Sequence, residues 1–168
     1  MAPRLSNSTS GLVGAVAPVT SSAILLIAKV PSKRSKTRLC EALRDSDRID
    51  LASAMLKDAV DAVEGTVSLR RQENRGAVAK IAYYSLPGEA PLLRAIISSV
   101  QKGHKDSTPW ELYPIPDVSA GLGVILPNGV DIARRVCGAG AVAVIGMDCP
   151  LLSTGDLDSA ISYAQKGE

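Results

Sequence analysis

Apolar residues occur along this chain in short continuous runs that alternate with longer, helically spaced stripes. Continuous runs of strand length at residues 23–30 and 141–145 predict buried β-strands. Residues 76–86, which hold Val, Ile and Tyr at packing positions, predict a further strand. A shorter segment at 110–115 contains proline, which cannot donate to a strand ladder, and it is therefore predicted to form an edge strand.

Between the first two strands the pattern changes to helical spacing. This spacing begins at Leu39 and continues in a second stretch whose positive end carries Ser46 and Asp47, either of which can cap a helix. Gly65 is predicted to end that helix, because glycine commonly follows the last helical residue.

Later intervals also carry helical patterns. Residues 90–101 predict an uninterrupted helix, and residues 122–136 predict a helix that breaks at 127–129, where Pro, Asn and Gly follow one another. The last helix is predicted to begin at a capping box, with Ser153 as the cap and Asp156 three positions later.

Strands and helices therefore alternate from residue 23 onward. This order predicts a single α/β domain over residues 23–168, with a mostly parallel sheet covered by helices. Residues 1–22 are rich in Ser, Thr, Pro, Gly and Ala and contain no acid, which predicts a disordered tail, with a transit peptide as the alternative.

Composition narrows the possible functions. The chain of 168 residues has no Phe and one Trp, so its core depends on Ala, Val, Ile and Leu, which suits a parallel sheet. Net charge is +2 and aromatic residues are sparse, which makes nucleic acid an improbable partner. No apolar run reaches the roughly 18 residues of a membrane span, so no membrane partner is expected.

The cysteine and histidine content bears on metals and on location. Cys40, Cys137 and Cys149 are widely spaced and form no C-x-x-C pair, which predicts reduced thiols and a cytoplasmic location. His104 is the only histidine and has no paired ligand nearby, so a zinc site is not expected.

Two polar loops follow the two clearest strands. The first holds the cations Lys29, Lys33, Arg34, Lys36 and Arg38 and no acid, while the second holds a single acid, Asp148. Because the carboxyl ends of parallel strands share one edge of a sheet, the two loops are expected to converge on one pocket. Cations with a hydroxyl suit phosphate oxygens, and a carboxylate suits Mg²⁺ or Mn²⁺.

Each of these loops also has a simpler interpretation. Lys33 and Arg34 fit a solvated basic turn, because burying an uncompensated charge is too costly. Asp148 fits a turn-forming residue whose carboxylate accepts hydrogen bonds from local N–H groups.

The same residues resemble a known family. Residues 28–31 (AKVP) and 35–39 (SKTRL) are similar to the A-K-x-P-x-x-G-x-x-K-T-R-L opening of glycosyltransferase-like proteins of the radical-SAM/selenodomain-associated type. Residues 145–152 (IGMDCPLL) resemble that family's I-G-x-D-x-P-x-L segment. The resemblance runs from about residue 23 to the end of the chain.

The resemblance implies a Rossmann-like three-layer sandwich of the nucleotide-diphospho-sugar transferase (A-type glycosyltransferase) fold. It implies that Lys29, Lys36, Thr37 and Arg38 bind the nucleotide diphosphate, and that Asp148 is the catalytic and metal-binding aspartate for Mg²⁺ or Mn²⁺. The implied ligand is a nucleotide or nucleotide sugar, and the implied reaction is glycosyl or nucleotidyl transfer.

The chain also departs from that family pattern. Its first loop is one residue shorter and lacks the family's Gly, and Gly121 stands where the family has the acid of D-L-G. No segment matches the family's later D-G-G-Y stretch, so the domain is expected to be C-terminally incomplete. These departures favour the alternative, a degenerate or fragmentary α/β binding module without catalysis. The donor sugar and base, the acceptor and the oligomeric state stay open.

Overall fold

The computed structural model describes residues 22–105 and 107–166. Residues 1–21, nearly all of the predicted tail, lie outside the described residues. The predicted boundary of that tail is wrong by one residue, because Ser22 is fully buried and begins the first strand.

A single sheet of four parallel strands forms the centre of the described chain. The strands, in chain order, are β1 (Ser22–Ala28), β2 (Val78–Tyr84), β3 (Glu111–Pro114) and β4 (Ala141–Gly146). Their spatial order is β3-β2-β1-β4, so β1 pairs with both β2 and β4. The predicted α/β class is confirmed, and this parallel order is consistent with a Rossmann-like fold.

Four α-helices of the described chain cover both faces of the sheet. They are α1 (Asp45–Gln72), α2 (Ala90–Gln101), α3 (Leu122–Cys137) and α4 (Thr154–Lys166). α1, α2 and α4 bury their apolar residues against one face, while α3 packs against the other. Single 3-10 turns lie at Thr37–Leu39 and Pro87–Glu89. No helix of the described residues is long and apolar enough to cross a membrane.

Several predicted elements are confirmed. α2 has the predicted bounds, and β3 lies at an edge of the sheet as its proline content requires. The capping box of α4 forms, because Ser153 Oγ accepts from the Asp156 N–H at 3.2 Å and Asp156 Oδ2 accepts from the Ser153 N–H at 2.9 Å.

The start and end of α1 differ from the prediction. Leu39 lies in the 3-10 turn, and α1 begins only at Asp45. Gly65 does not end the helix, which continues to Gln72. The glycine serves packing instead: a Cβ at Gly65 would lie 2.5 Å from Thr154 Oγ1, where α4 begins.

α3 continues through the predicted break at residues 127–129. Pro127 removes one hydrogen bond, to the carbonyl of Gly123, but Gly123 lies in the exposed first turn, where water can bind that carbonyl. Gly129 lets the helix approach the sheet, since a Cβ there would lie 2.6 Å from Leu25 Cδ2 and 3.1 Å from Tyr83 Cδ1.

A buried polar network joins α1 to the sheet. Lys80 Nζ on β2 donates to both carboxylate oxygens of Glu64, at 2.7 and 2.8 Å, and to Ser107 Oγ at 2.8 Å. Trp110 Nε1 and Gln101 Nε2 also donate to Glu64 Oε1, at 2.7 and 3.1 Å. Each charge in this network has several partners, which is the condition for burying an ion pair.

Candidate functional site

A cavity of about 920 Å³ opens beyond the carboxyl ends of the strands. Residues that follow or end all four strands line it, among them Ala28, Ser85, Ile115 and Asp148. Leu122, at the start of α3, also lines it. We call this space the carboxyl-edge cavity. In parallel α/β sheets ligands bind at this edge, because the connecting loops converge there.

The cavity lies where the order of the strands reverses. From β1 the chain adds β2 and β3 on one side, and then returns to place β4 on the other side of β1. The helices that follow β1 and β4, α1 and α4, pack on the same face of the sheet, whereas α3, which leads into β4, packs on the other face. The loops after β1 and β4, which carry the two sets of candidate residues, border the cavity.

The loop after β1, residues 29–38, is called the basic loop below. It folds into a turn in which the Ser35 N–H donates to the Ser32 carbonyl at 2.8 Å and the Ser32 N–H donates to Ser35 Oγ at 2.9 Å. Ser35 is almost fully buried, at 2% exposure. Lys36 then adopts the left-handed conformation, with φ 53° and ψ 38°, before the 3-10 turn begins at Thr37.

Lys36 and Asp148 meet across the cavity. Lys36 Nζ donates to Asp148 Oδ1 and forms an ion pair with it, although 112 residues separate them in sequence. The side chain of Lys36 is 17% exposed and that of Asp148 is 67% exposed. The structure therefore brings together the two residues whose proximity the sequence interpretation requires, at a position that solvent and ligands can reach.

The other predicted phosphate-binding residues also line the cavity. Lys29 Nζ donates to the Arg34 carbonyl at 3.2 Å, so this lysine also braces the basic loop. Thr37 and Arg38 are exposed in the 3-10 turn. Arg38 forms no ion pair with any residue that the structure describes, which leaves its guanidinium available to an oxyanion.

The charge of the cavity is positive. Among the residues that the structure describes, the cations Lys29, Lys36 and Arg38 and one acid, Asp148, line it. Lys33 and Arg34 are exposed and do not line it, as the interpretation of these two residues as a solvated turn expects. The balance of three cations and one carboxylate favours an anionic ligand with more than one negative charge.

Sequence reasoning missed Arg48, a buried residue of α1 that donates hydrogen bonds to the backbone of the basic loop. Its Nη1 donates to the carbonyls of Ser35 at 3.0 Å and Lys33 at 3.3 Å. The sequence did contain a signal for this residue, because Arg48, Ala52 and Leu56 follow one another at four-residue intervals and so share one face of a helix. In the structure all three are buried. A cation on the apolar stripe of a helix marks a buried partner, but the sequence does not say which one.

The apolar wall of the cavity was also missed. Leu122 and Leu126 from α3 and Val144 from β4 line it, and Leu122 and Val144 are exposed. An apolar wall opposite cationic side chains suits a ligand with a charged end and a less polar end.

The donor set for a metal is small. No group of three His, Cys, Asp or Glu side chains converges among residues 22–105 and 107–166. Asp148 thus offers one carboxylate, and Lys36 already engages it. These residues fit a Mg²⁺ or Mn²⁺ ion that arrives with ligand phosphates, because Mg²⁺ commonly binds one or two carboxylates plus phosphates and water. They do not provide a cage for a free ion.

Comparisons with protein-family models, with curated proteins and with solved structures each find no match to this chain.

Proposed function

We propose that the chain is a transferase domain that uses a nucleotide-activated sugar, with a divalent metal, for glycosyl or nucleotidyl transfer. The observation that supports this proposal most is the meeting of Lys36 and Asp148 beyond the carboxyl ends of β1 and β4, inside a cavity also lined by Arg38. The motifs around these residues are the ones that resemble nucleotide-diphospho-sugar transferases.

The cationic side chains would bind the diphosphate. Arg38 can bind two phosphate oxygens through its planar guanidinium, while Lys29 and Lys36 act as point charges. Thr37 adds a hydroxyl donor beside them. During transfer, negative charge develops on the departing phosphate. Fixed cations beside it would therefore stabilise the transition state more than the bound substrate.

Asp148 would change partner when a ligand binds. In the structure its carboxylate accepts from Lys36, whereas a bound diphosphate would compete for that ammonium. The released carboxylate would then face the ligand phosphates from the end of β4. Asp148 would be the residue that holds a divalent metal, and the chemistry supplied by that metal would be neutralisation of phosphate charge.

The experiment is calorimetric titration with UDP-glucose, GDP-mannose and UDP, each with Mn²⁺. We expect saturable heat, and we expect Lys36→Ala to weaken binding by about tenfold to a hundredfold, because a hydrogen-bonded charge contact is lost. Lys33→Ala is the matched control, since Lys33 lies in the same loop but is exposed and does not line the cavity.

Two outcomes would contradict the proposal. Absence of heat with all three compounds would show that the chain does not bind these nucleotides, which contradicts the proposed ligand. An equal loss of affinity in Lys33→Ala and Lys36→Ala would indicate general attraction to a basic loop, which high salt would also abolish.

The second candidate function is that of an α/β binding module that catalyses no reaction. Asp148 is the only acid among the described residues that line the cavity, and no histidine lines it, so no separate general base stands beside the carboxylate. Saturable nucleotide binding without release of UDP or GDP from the sugar nucleotides, across a panel of acceptors, would favour this candidate.

A further inference from the structure

Arg48 is buried beneath the basic loop. It occupies the first turn of α1 and is 5% exposed. Burying a guanidinium costs free energy unless its N–H groups find acceptors. Both Nη groups of Arg48 have acceptors, whereas its buried Nε has none among the described residues.

Those acceptors are two backbone carbonyls of the basic loop and the side-chain carboxylate of Asp45, at the start of α1. Arg48 Nη1 donates to two loop carbonyls, of Lys33 and Ser35, and Nη2 donates to Asp45 Oδ1 and forms an ion pair with it. One guanidinium thus fixes two peptide units of the loop relative to α1. Its fork of donors has a set geometry, which a lysine ammonium does not reproduce.

The peptide that Arg48 holds most closely is the one that enters Lys36. Lys36 has a positive φ, a conformation that costs a non-glycine residue about 1 kcal/mol or more. Such a conformation persists only where the surroundings impose it. The Arg48 bond to the Ser35 carbonyl and the Ser32–Ser35 turn impose it here, and they direct the Lys36 side chain toward Asp148.

We propose that Arg48 is the positioning residue of the nucleotide-binding site. It does not line the carboxyl-edge cavity as the described residues define it, so it acts through the basic loop and not on the ligand. This inference rests on the proposed function for its ligand, while its effect on the loop is independent of any ligand.

The test compares Arg48→Met and Arg48→Lys with Arg70→Met. Arg70 is the matched control: it lies on the same helix, is 1% exposed, and donates to Asp158 Oδ1 at 2.9 Å and to the Arg75 carbonyl at 3.0 Å. Arg70 lies near Val78, where β2 begins. It is therefore at the amino ends of the strands, whereas the cavity is at their carboxyl ends.

Two readouts separate positioning from general stability. The first is the exchange rate of the Ser32 and Ser35 amide protons, both of which are hydrogen-bonded inside the loop. The second is the affinity for UDP with Mn²⁺, measured at a temperature where all variants are folded by circular dichroism.

We expect Arg48→Met to speed exchange of the Ser32 and Ser35 amides and to weaken UDP binding by about tenfold or more, because bonds from a charged donor are lost. Arg48→Lys should recover part of the affinity, since it keeps a charged donor below the Ser35 carbonyl. Arg70→Met should lower the unfolding midpoint in urea but leave both readouts at wild-type values.

Unchanged amide exchange in Arg48→Met and Arg48→Lys would overturn the inference, as would equal losses of UDP affinity in Arg48→Met and Arg70→Met. If the wild-type chain binds no UDP, the proposed function fails on its own. The exchange rates then decide whether Arg48 positions the loop, since they require no ligand.

Discussion

Two lysines of this chain have opposite surroundings. Lys80 is fully buried with several partners, whereas the Lys36 ammonium has one partner among the described residues and a side chain that is 17% exposed. A buried and fully paired charge stabilises a particular fold only while every partner remains. A partly exposed charge with a single partner can exchange that partner for a ligand, which is why Lys36 and not Lys80 belongs to the proposed site.

The Glu64–Lys80 pair gives a prediction about stability. Glu64→Gln should lower the free energy of unfolding by about 3–5 kcal/mol at neutral pH, because it leaves the Lys80 ammonium buried without its counter-charge. Urea unfolding followed by circular dichroism measures this difference. Asp61→Asn is the control on the same helix, since the Asp61 side chain is 68% exposed and its pair with His104 should contribute little. Similar losses in the two variants would contradict the structural role of Glu64.

The same pair predicts a dependence on pH. Burial by itself would raise the pKa of Glu64, but hydrogen bonds from Lys80, Ser107 and Trp110 outweigh it and hold that pKa below its ordinary value. Since the folded-state pKa is depressed, the carboxylate stabilises the fold fully above the unfolded pKa of about 4.3 and loses this contribution as pH falls through the folded value. The stability difference between wild type and Glu64→Gln should therefore shrink in acid. A difference that grows as pH falls from 7 to 3 would reverse the assigned sign.

At the level of single residues, the sequence predicted the contact between side chains that follow the ends of two parallel strands. Lys36 and Asp148 could be placed together because parallel strands present their carboxyl ends at one edge. The Arg48 bonds to the basic loop and the pairing of Glu64 with Lys80 could not be predicted. Each joins residues from different elements, and their partners are set by packing that local spacing does not encode.

At the element scale the errors fall at glycine and proline. Gly65 and Pro127 both carry local signals that end helices, yet α1 and α3 continue past them. Tertiary packing outweighed the local preference: α4 begins against Gly65, and Gly129 seats α3 on the sheet. The strands were easier to predict, since the apolar runs of β1 and β4 have the length of a strand and are shorter than most helices.

Two glycines of α3 give a matched prediction. Gly129→Ala should destabilise the fold by about 1–3 kcal/mol, because its Cβ would press on Leu25 and Tyr83, which are fully buried. Gly123→Ala should be neutral or stabilise by up to about 1 kcal/mol, since a Cβ at Gly123 meets nothing within 4 Å and alanine favours helix. Urea unfolding of both variants measures the contrast. Equal effects would mean that α3 does not rest on the sheet at Gly129.

At the scale of the whole molecule the two faces of the sheet are covered unequally. Three of the described helices cover one face, and α3 alone covers the other. The uncovered part near Val144 and Leu126 becomes the apolar wall of the cavity. The alternation of strands and helices predicted the α/β class, but the order of the strands in the sheet, with β1 between β2 and β4, came only from the structure.

The proposed ligand of the carboxyl-edge cavity is a nucleoside diphosphate. Binding there can be followed residue by residue, by titrating isotope-labelled protein with UDP and Mg²⁺ and recording amide chemical shifts. We predict saturable shifts at residues 35–38 and 146–148, with residues 74–77 at the opposite edge unchanged. Saturable shifts confined to residues 74–77, or no shifts at millimolar UDP, would contradict the proposal.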